Sequence, residues 1–100
     1  MNMTKSDILF YLSEHKEEFF QKFGLVKLGL FGSFVREEAH EGSDIDIIIE
    51  LDKNVTDVYR KKLALKKELE NYFNKKVDIA REKYLKPLAR QSIGNDVIYV

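Results

Sequence analysis

The sequence predicts one small α/β domain in which about four helices pack on a mixed three-stranded sheet, in the order αβαβαβα. Two observations carry this prediction. Segments with helical spacing of apolar residues alternate with short strand-like runs along all 100 residues, and such alternation places helices on a sheet. No repeat, low-complexity tract or linker divides the chain. With 44% apolar residues the chain can bury its own core, so we expect residues 1–100 to form a single domain.

The first predicted helix runs from Thr4 to Phe23. Thr4 and Asp7 have the spacing of a capping box, and Gly24 follows as a stop signal. Apolar or aromatic side chains then recur on one side of this helix, at Ile8, Leu12, His15, Phe19 and Phe23.

Three short segments are predicted strands because they are dense in apolar and β-branched residues: Val26–Phe31, Asp44–Leu51 and Val77–Ala80. A short helix, Phe34–Ala39 with Ser33 as its N-cap, is predicted between the first two. A longer helix is predicted to begin after Thr56, and a final one to begin at Pro87 and run towards Ile98. The buried side of the longer helix is predicted at Val58, Leu65, Leu69 and Tyr72.

Composition excludes several classes of protein. Seventeen basic and seventeen acidic residues give a net charge of zero, which argues against a dedicated nucleic-acid binder and for no direct nucleic-acid contact. The absence of cysteine excludes disulfides, zinc knuckles and thiol catalysis. Neither a signal peptide nor a membrane span is recognisable, so we expect a cytoplasmic protein without membrane contact.

Three aspartates lie where strand residues would otherwise be buried. Asp44 and Asp46 are two residues apart, so both project from one face of their strand, and Asp78 lies inside Val-Asp-Ile-Ala. Like charges at the edge of an apolar layer repel each other unless a divalent cation lies between them. Taken alone, each aspartate is better explained by a structural role, such as forming a turn at the mouth of a strand.

Gly32 and Ser33 lie where the first predicted strand ends and a helical turn begins. Glycine allows a backbone to approach a ligand closely, and backbone N–H groups at such a turn bind anions. If the first two strands are antiparallel neighbours, this turn meets Asp44 and Asp46. A phosphate cradle facing a metal-binding carboxylate pair is the apparatus of phosphoryl or nucleotidyl transfer.

The combination Gly32-Ser33-x10-Asp44-Ile45-Asp46, with Asp78 in a third strand, resembles the signature of the DNA polymerase β-type nucleotidyltransferase superfamily. The run LFGSFVREEAHEGSDIDIIIEL is most similar to the minimal nucleotidyltransferases, which are antitoxin partners of HEPN-domain toxins. The resemblance covers nearly the whole chain. Arg36 is kept, whereas Glu37 stands where the family commonly has glycine.

The resemblance implies an enzyme that transfers AMP from ATP to a hydroxyl, a tyrosine of a HEPN toxin, and thereby acts as an antitoxin. It implies that Asp44, Asp46 and Asp78 are catalytic and bind two Mg²⁺ ions. It also implies that Gly32 and Ser33 hold the triphosphate, with Arg36 in reach of a phosphate. The alternative is a catalytically idle antitoxin that neutralises its partner by binding alone.

Apolar residues near the C-terminus offer a surface for a partner or for a second copy of the chain, because they are too many for a short terminal segment to bury. Capping of the core is an equally good explanation. These residues are Tyr84, Leu85, Leu88, Ile98 and Tyr99.

Overall fold

A computed structural model describes residues 3–40, 42–84 and 97–100 and has the predicted mixed α/β architecture. A four-stranded sheet in the order β3-β2-β1-β4 carries helices on one face. Strand β1 is antiparallel to β2 and β4, and β2 is parallel to β3. The elements are α1 Lys5–Glu14, α2 Lys16–Phe23, β1 Leu25–Phe31, β2 Ile45–Leu51, α3 Val58–Phe73, β3 Val77–Arg81 and β4 Ile98–Tyr99.

The single N-terminal helix predicted from the sequence is two helices. The capping box is confirmed, since Asp7 N–H donates to Thr4 Oγ1 at 3.2 Å and Thr4 N–H donates to Asp7 Oδ2 at 3.0 Å. The break falls at His15, whose φ of −106° and ψ of 7° leave the helical region. The Tyr11 carbonyl lies 3.1 Å from the His15 backbone N–H group and 2.9 Å from the ring atom Nδ1, so two groups of His15 crowd it. As predicted, α2 ends at Gly24, which has a left-handed φ of +69°.

The predicted helix Phe34–Ala39 is wrong, and Ser33 is not an N-cap. Gly32–Phe34 form one turn of 3-10 helix, followed by a turn that ends at Glu37. Glu37 has a left-handed φ of +59°, which a right-handed helix cannot contain. So short a segment also cannot offset the cost of starting an α-helix.

Helix α3 differs from its prediction at its start and on its buried face. Its N-cap is Asp57, in a left-handed conformation, and not Thr56. The buried face runs through Leu65, Leu69 and Phe73, because positions four residues apart stay on one side of the helix. Tyr72 is exposed and stacks on Tyr11 instead, with 3.8 Å between the ring centroids.

The sheet has four strands where the sequence predicted three. The final helix was predicted to run towards Ile98, but Ile98–Tyr99 form β4, which pairs with Gly29 and Leu30 of β1. Gly29 permits this pairing at close range, since a Cβ atom there would lie 2.7 Å from the Ile98 carbonyl oxygen. A two-residue strand has no periodicity that sequence reasoning could detect. The helix predicted at Pro87, with Leu85 and Leu88, falls outside the described residues.

The core lies between the helices and one face of the sheet. Ile45, Ile47 and Ile49 of β2 are fully buried in it, together with residues of α1, α2 and α3. Alternation along β2 places Asp46, Ile48 and Glu50 on the opposite face. In the part of the chain that the structure describes, no helix is long and apolar enough to cross a membrane.

Candidate active site

Asp46 lies at the centre of the candidate site, because the strands on both sides of it bring other predicted site residues close to it. In the antiparallel pair Asp46 is opposite Phe31, the residue before Gly32, and in the parallel pair it is opposite Asp78. The predicted antiparallel arrangement of the first two strands is thus confirmed. The turn after β1 and the start of β3 therefore flank the same carboxylate.

Gly32 packs directly against the Asp46 side chain, and its backbone conformation is one that favours glycine. Its φ is +82°, in the region that favours glycine, and an added Cβ atom would overlap with the Asp46 carboxylate oxygen Oδ2. The glycine was predicted for close approach to a ligand, and the structure adds a second reason for it. The 3-10 turn is closed by the Gly32 carbonyl, which accepts from the Val35 and Arg36 N–H groups at 3.1 and 3.2 Å.

The three aspartates occupy neighbouring positions on one end of the sheet. Asp44 directly precedes β2, which begins one residue later than predicted, and strand pairing continues through Ile45 N–H to the Lys76 carbonyl at 2.9 Å. Asp44 and Asp46 are partly buried, whereas Asp78 is exposed. The sequence interpretation expected little exposure for Asp78, but β3 lies at the edge of the sheet, where solvent reaches the start of the strand.

Electrostatics couple these groups. Burial raises the pKa of Asp46 above its ordinary value of 3.8, and the negative charges of Asp78 and Asp44 raise it further. Arg36 has the opposite, smaller effect on the pKa of Asp46, although its Nε atom also lies 3.3 Å from Glu38 Oε2. Asp46 thus lies close to two other negative charges, and a bound cation would offset their mutual repulsion.

The donor set fits magnesium by its chemistry, because Mg²⁺ prefers carboxylate oxygens. Among the described residues, no three acidic or histidine side chains already converge as a metal cage. Magnesium in nucleotide sites is held by one or two carboxylates together with phosphates and water, so a preformed protein cage is not required. Asp44 and Asp46, with Asp78 beside them, are the residues that would hold it.

A cleft opens on the β3 side of the aspartates. Its volume is about 670 Å³, and Asp44 and Asp78 lie in its wall together with Lys66, Lys75 and Lys76. A second cleft of about 600 Å³ shares Asp44, Lys75 and Lys76. Sequence reasoning missed these lysines, although a pair of lysines directly before the strand of Asp78 was a visible signal.

A mixed sheet with a glycine turn against a carboxylate pair defines the nucleotidyltransferase class. A model of the nucleotidyltransferase domain family matches residues 12–100, so the chain belongs to this family and is an enzyme of this class. "Protein adenylyltransferase MntA" of Thermococcus cleftensis is 33% identical over 98 residues, covering 98% of this chain and 97% of that protein. "Putative protein adenylyltransferase MJ1379" of Methanocaldococcus jannaschii is 38% identical over 98 residues, covering 97% and 98%.

Solved structures agree with this assignment. "Structure of putative minimal nucleotidyltransferase" superposes with a TM-score of 0.74 at 29% identity, over 97% of this chain and 96% of the other. "Crystal structure of the toxin-antitoxin with AMP-PNP" has a TM-score of 0.64 at 19% identity, over 86% and 69%, and shows a shared fold. The predicted resemblance to minimal nucleotidyltransferases is confirmed.

Proposed function

We propose that this protein is a magnesium-dependent adenylyltransferase that moves AMP from ATP to a tyrosine hydroxyl of a HEPN-type toxin and acts as its antitoxin in the cytoplasm. The observation that carries the proposal is the contact between the Gly32 turn and Asp46, with Asp78 opposite Asp46. This contact brings the turn proposed to bind the triphosphate next to carboxylates that suit magnesium. The names of the two archaeal relatives support a protein as the acceptor.

In the proposed reaction the acceptor hydroxyl oxygen attacks the α-phosphorus of ATP. A phosphorus–oxygen bond to the acceptor forms, the bond to the oxygen bridging the α- and β-phosphates breaks, and pyrophosphate leaves. Gly32 and Ser33 bind the β- and γ-phosphates, and Arg36 approaches a phosphate from the same loop. Asp78 lies on the acceptor side, where it orients the hydroxyl and takes part in removing its proton. Magnesium, when bound by Asp44 and Asp46, supplies stabilisation of the negative charge that develops on phosphate oxygens.

The second candidate is an antitoxin that neutralises its partner by binding alone. Glu37 favours it, because this exposed carboxylate lies four residues after Ser33 and repels a polyphosphate. The retained aspartates favour catalysis, since an idle protein has no use for like charges that raise the pKa of Asp46. We also propose, from the exposed rings of Tyr84 and Tyr99, that the partner or a second copy of this chain contacts the sheet end that carries them.

The test combines nucleotide binding with transfer. Calorimetry with ATP and Mg²⁺ should show binding that the double variant Asp44→Ala plus Asp46→Ala loses, while Asp57→Asn retains it. Asp57 is a matched control because it is exposed and its side chain makes no capping hydrogen bond. With a HEPN-domain protein and α-labelled ATP, mass should be added to a tyrosine in units of AMP. Asp46→Asn should reduce this transfer by orders of magnitude, and Asp78→Asn should reduce turnover more than ATP binding.

Neutralisation of the toxin separates the two candidates. Binding alone predicts no transferred label and full neutralisation by the Asp44 and Asp46 variants. Unchanged ATP binding in the double variant would contradict the proposed metal and nucleotide site. Circular dichroism on each variant establishes that the fold is retained.

A further inference from the structure

The direction of an in-line displacement fixes where the acceptor must enter. Attacking and leaving oxygens lie on opposite sides of the reacting phosphorus. The turn proposed to bind the leaving pyrophosphate follows β1, on one side of Asp46, whereas Asp78 and β3 lie on the other side. This placement of the leaving and attacking groups rests on the proposed function. It locates the acceptor over the start of β3.

The cleft of about 670 Å³ occupies that place. Asp44 and Asp78 lie in its wall, and the loop that joins α3 to β3 supplies Asn74, Lys75 and Lys76. Asn74 has a left-handed φ of +54°, which ends α3 and turns the two lysines towards the start of β3. The volume lies within the usual range for sites that hold a small group, and here that group is one side chain with its neighbours.

Three lysines give this cleft a basic wall from two different elements. Lys66 comes from α3, and Lys75 and Lys76 come from the loop. The Lys75 ammonium lies 5.9 Å from the centre of the Phe34 ring, which places Lys75 beside the residue that follows Ser33. Lys75 therefore lies at the edge of the cleft nearest the turn after β1.

The acidic side chains of the cleft have other roles, as a hydrogen-bond acceptor or as part of the proposed metal site. Glu70 lies in the same wall, where its Oε2 atom accepts from Val77 N–H at 2.9 Å. Asp44 and Asp78 belong to the proposed metal site. Once a divalent cation offsets these aspartates, the lysines make the cleft attractive to anions.

We propose that this cleft is the acceptor subsite, and that Lys66, Lys75 and Lys76 select a protein segment in which acidic residues flank the target hydroxyl. A protein segment fits better than a nucleic acid. In the part of the chain that the structure describes, only three of the seventeen basic residues line the cleft, and the whole chain has a net charge of zero, so this part offers no extended basic surface of the kind that nucleic acids require. Short ion pairs to flanking carboxylates would hold the acceptor without contacting the nucleotide.

The experiment uses three tyrosine peptides that differ only in acidic, neutral or basic residues flanking the tyrosine. Binding is measured by fluorescence anisotropy with Mg²⁺ and a non-hydrolysable ATP analogue, and AMP transfer is measured in parallel. The acidic peptide should bind most tightly. Each of Lys66→Gln, Lys75→Gln and Lys76→Gln should weaken it roughly two- to fivefold, the effect of one solvent-accessible ion pair. In transfer, this loss should appear in KM and not in kcat.

Two controls make the result specific. Lys67→Gln changes an exposed lysine on the same helix as Lys66 and should leave all peptides unaffected. Lys76→Glu should reverse the preference, so that the basic peptide binds better than the acidic one. ATP affinity should stay unchanged in Lys66→Gln and Lys76→Gln, because these lysines lie away from the turn proposed to bind the phosphates.

Equal binding of the three peptides would overturn the proposal, as would loss of ATP affinity in Lys66→Gln and Lys76→Gln. Displacement of the acidic peptide by a short single-stranded RNA at lower concentration would also overturn it and assign the cleft to nucleic acid. Failure of the proposed function has a different signature. In that case the acidic preference in binding persists, while no peptide or protein receives AMP.

Discussion

Asp46 combines three properties that rarely occur together in a strand residue. It precedes three buried isoleucines, touches the backbone of Gly32, and lies beside two further carboxylates. The sequence singled it out only together with Gly32 and Ser33, because an aspartate between isoleucines conflicts with an apolar layer but is by itself also explained by a turn. The contact with Gly32 could not be predicted, since the sequence does not fix the register of β1 against β2.

The raised pKa of Asp46 makes a prediction about stability. A carboxyl whose folded pKa exceeds its unfolded value binds its proton more tightly in the folded state. The stabilisation is therefore complete below the ordinary value of 3.8 and is lost as the pH rises through the folded pKa. Without magnesium, Asp46→Asn should therefore melt at a higher temperature than the unmodified protein at neutral pH, because the variant carries no charge to desolvate.

Thermal denaturation followed by circular dichroism, repeated from acidic to neutral pH, measures this difference. The advantage of Asp46→Asn should shrink as the pH falls, since the native carboxyl then becomes neutral too. Asp57→Asn should show no such pH-dependent gain. Equal melting temperatures of Asp46→Asn and the unmodified protein at neutral pH would contradict the electrostatic picture. Added Mg²⁺ and ATP should raise the melting temperature of the unmodified protein only.

The connection between β1 and β2 is the element that sequence reasoning described least well. Helical periodicity identified α3 and the helical segment from Thr4 to Phe23, although this segment is two helices, and the density of apolar and β-branched residues identified the three longer strands. The segment from Phe34 to Ala39 is too short for such a signal. It contains Glu37, whose left-handed backbone no helical pattern predicts, and the preceding 3-10 turn packs against β2.

Substitution of Glu37 by glycine should therefore raise the free energy of unfolding. A left-handed non-glycine residue costs about 1 kcal/mol, and the Glu37 ion pair with Lys5, at 3.6 Å with Glu37 74% exposed, contributes little. Glycine removes the strain but is more flexible in the unfolded chain, so a net gain of up to about 1 kcal/mol is expected. Affinity for ATP with Mg²⁺ should also rise, because a carboxylate near the phosphate turn is removed.

Urea denaturation and calorimetry on two variants separate these effects. Glu37→Ala removes the charge but keeps the left-handed strain, whereas Glu37→Gly removes both. ATP affinity should rise in both variants, and stability should be higher in Glu37→Gly than in Glu37→Ala. Equal stability of the two would show that the backbone conformation carries no cost.

Contacts between parts of the chain that are distant in sequence hold the sheet together. Strand β4 completes one edge, and the Tyr99 hydroxyl donates to Glu82 Oε2 at 2.5 Å. The Lys27 ammonium lies 3.0 Å from both carboxylate oxygens of Glu82, which is a buried residue. No local pattern predicts this network, because it joins β1, β4 and the residue after β3.

Loss of the Tyr99 hydroxyl should weaken the entire domain without disturbing its site. Tyr99→Phe should lower the free energy of unfolding at neutral pH by about 1 to 2 kcal/mol, since the hydrogen bond to a buried carboxylate is lost. The pKa of Tyr99 is raised by burial and by Glu82, so this stabilisation is present below the ordinary tyrosine value of 10.0 and is lost as the pH rises beyond it. Urea denaturation at neutral and alkaline pH measures both effects.

Tyr59→Phe is the matched control, because Tyr59 is 77% exposed and its hydroxyl should contribute nothing. ATP affinity should be the same in both variants. Lys27 is opposite Glu50, whereas Phe31 is opposite Asp46, and four residues along a strand separate these positions by about 13 Å. Stability and nucleotide binding therefore reside at opposite ends of one sheet, and a loss of ATP affinity in Tyr99→Phe at temperatures where it stays folded would contradict that separation.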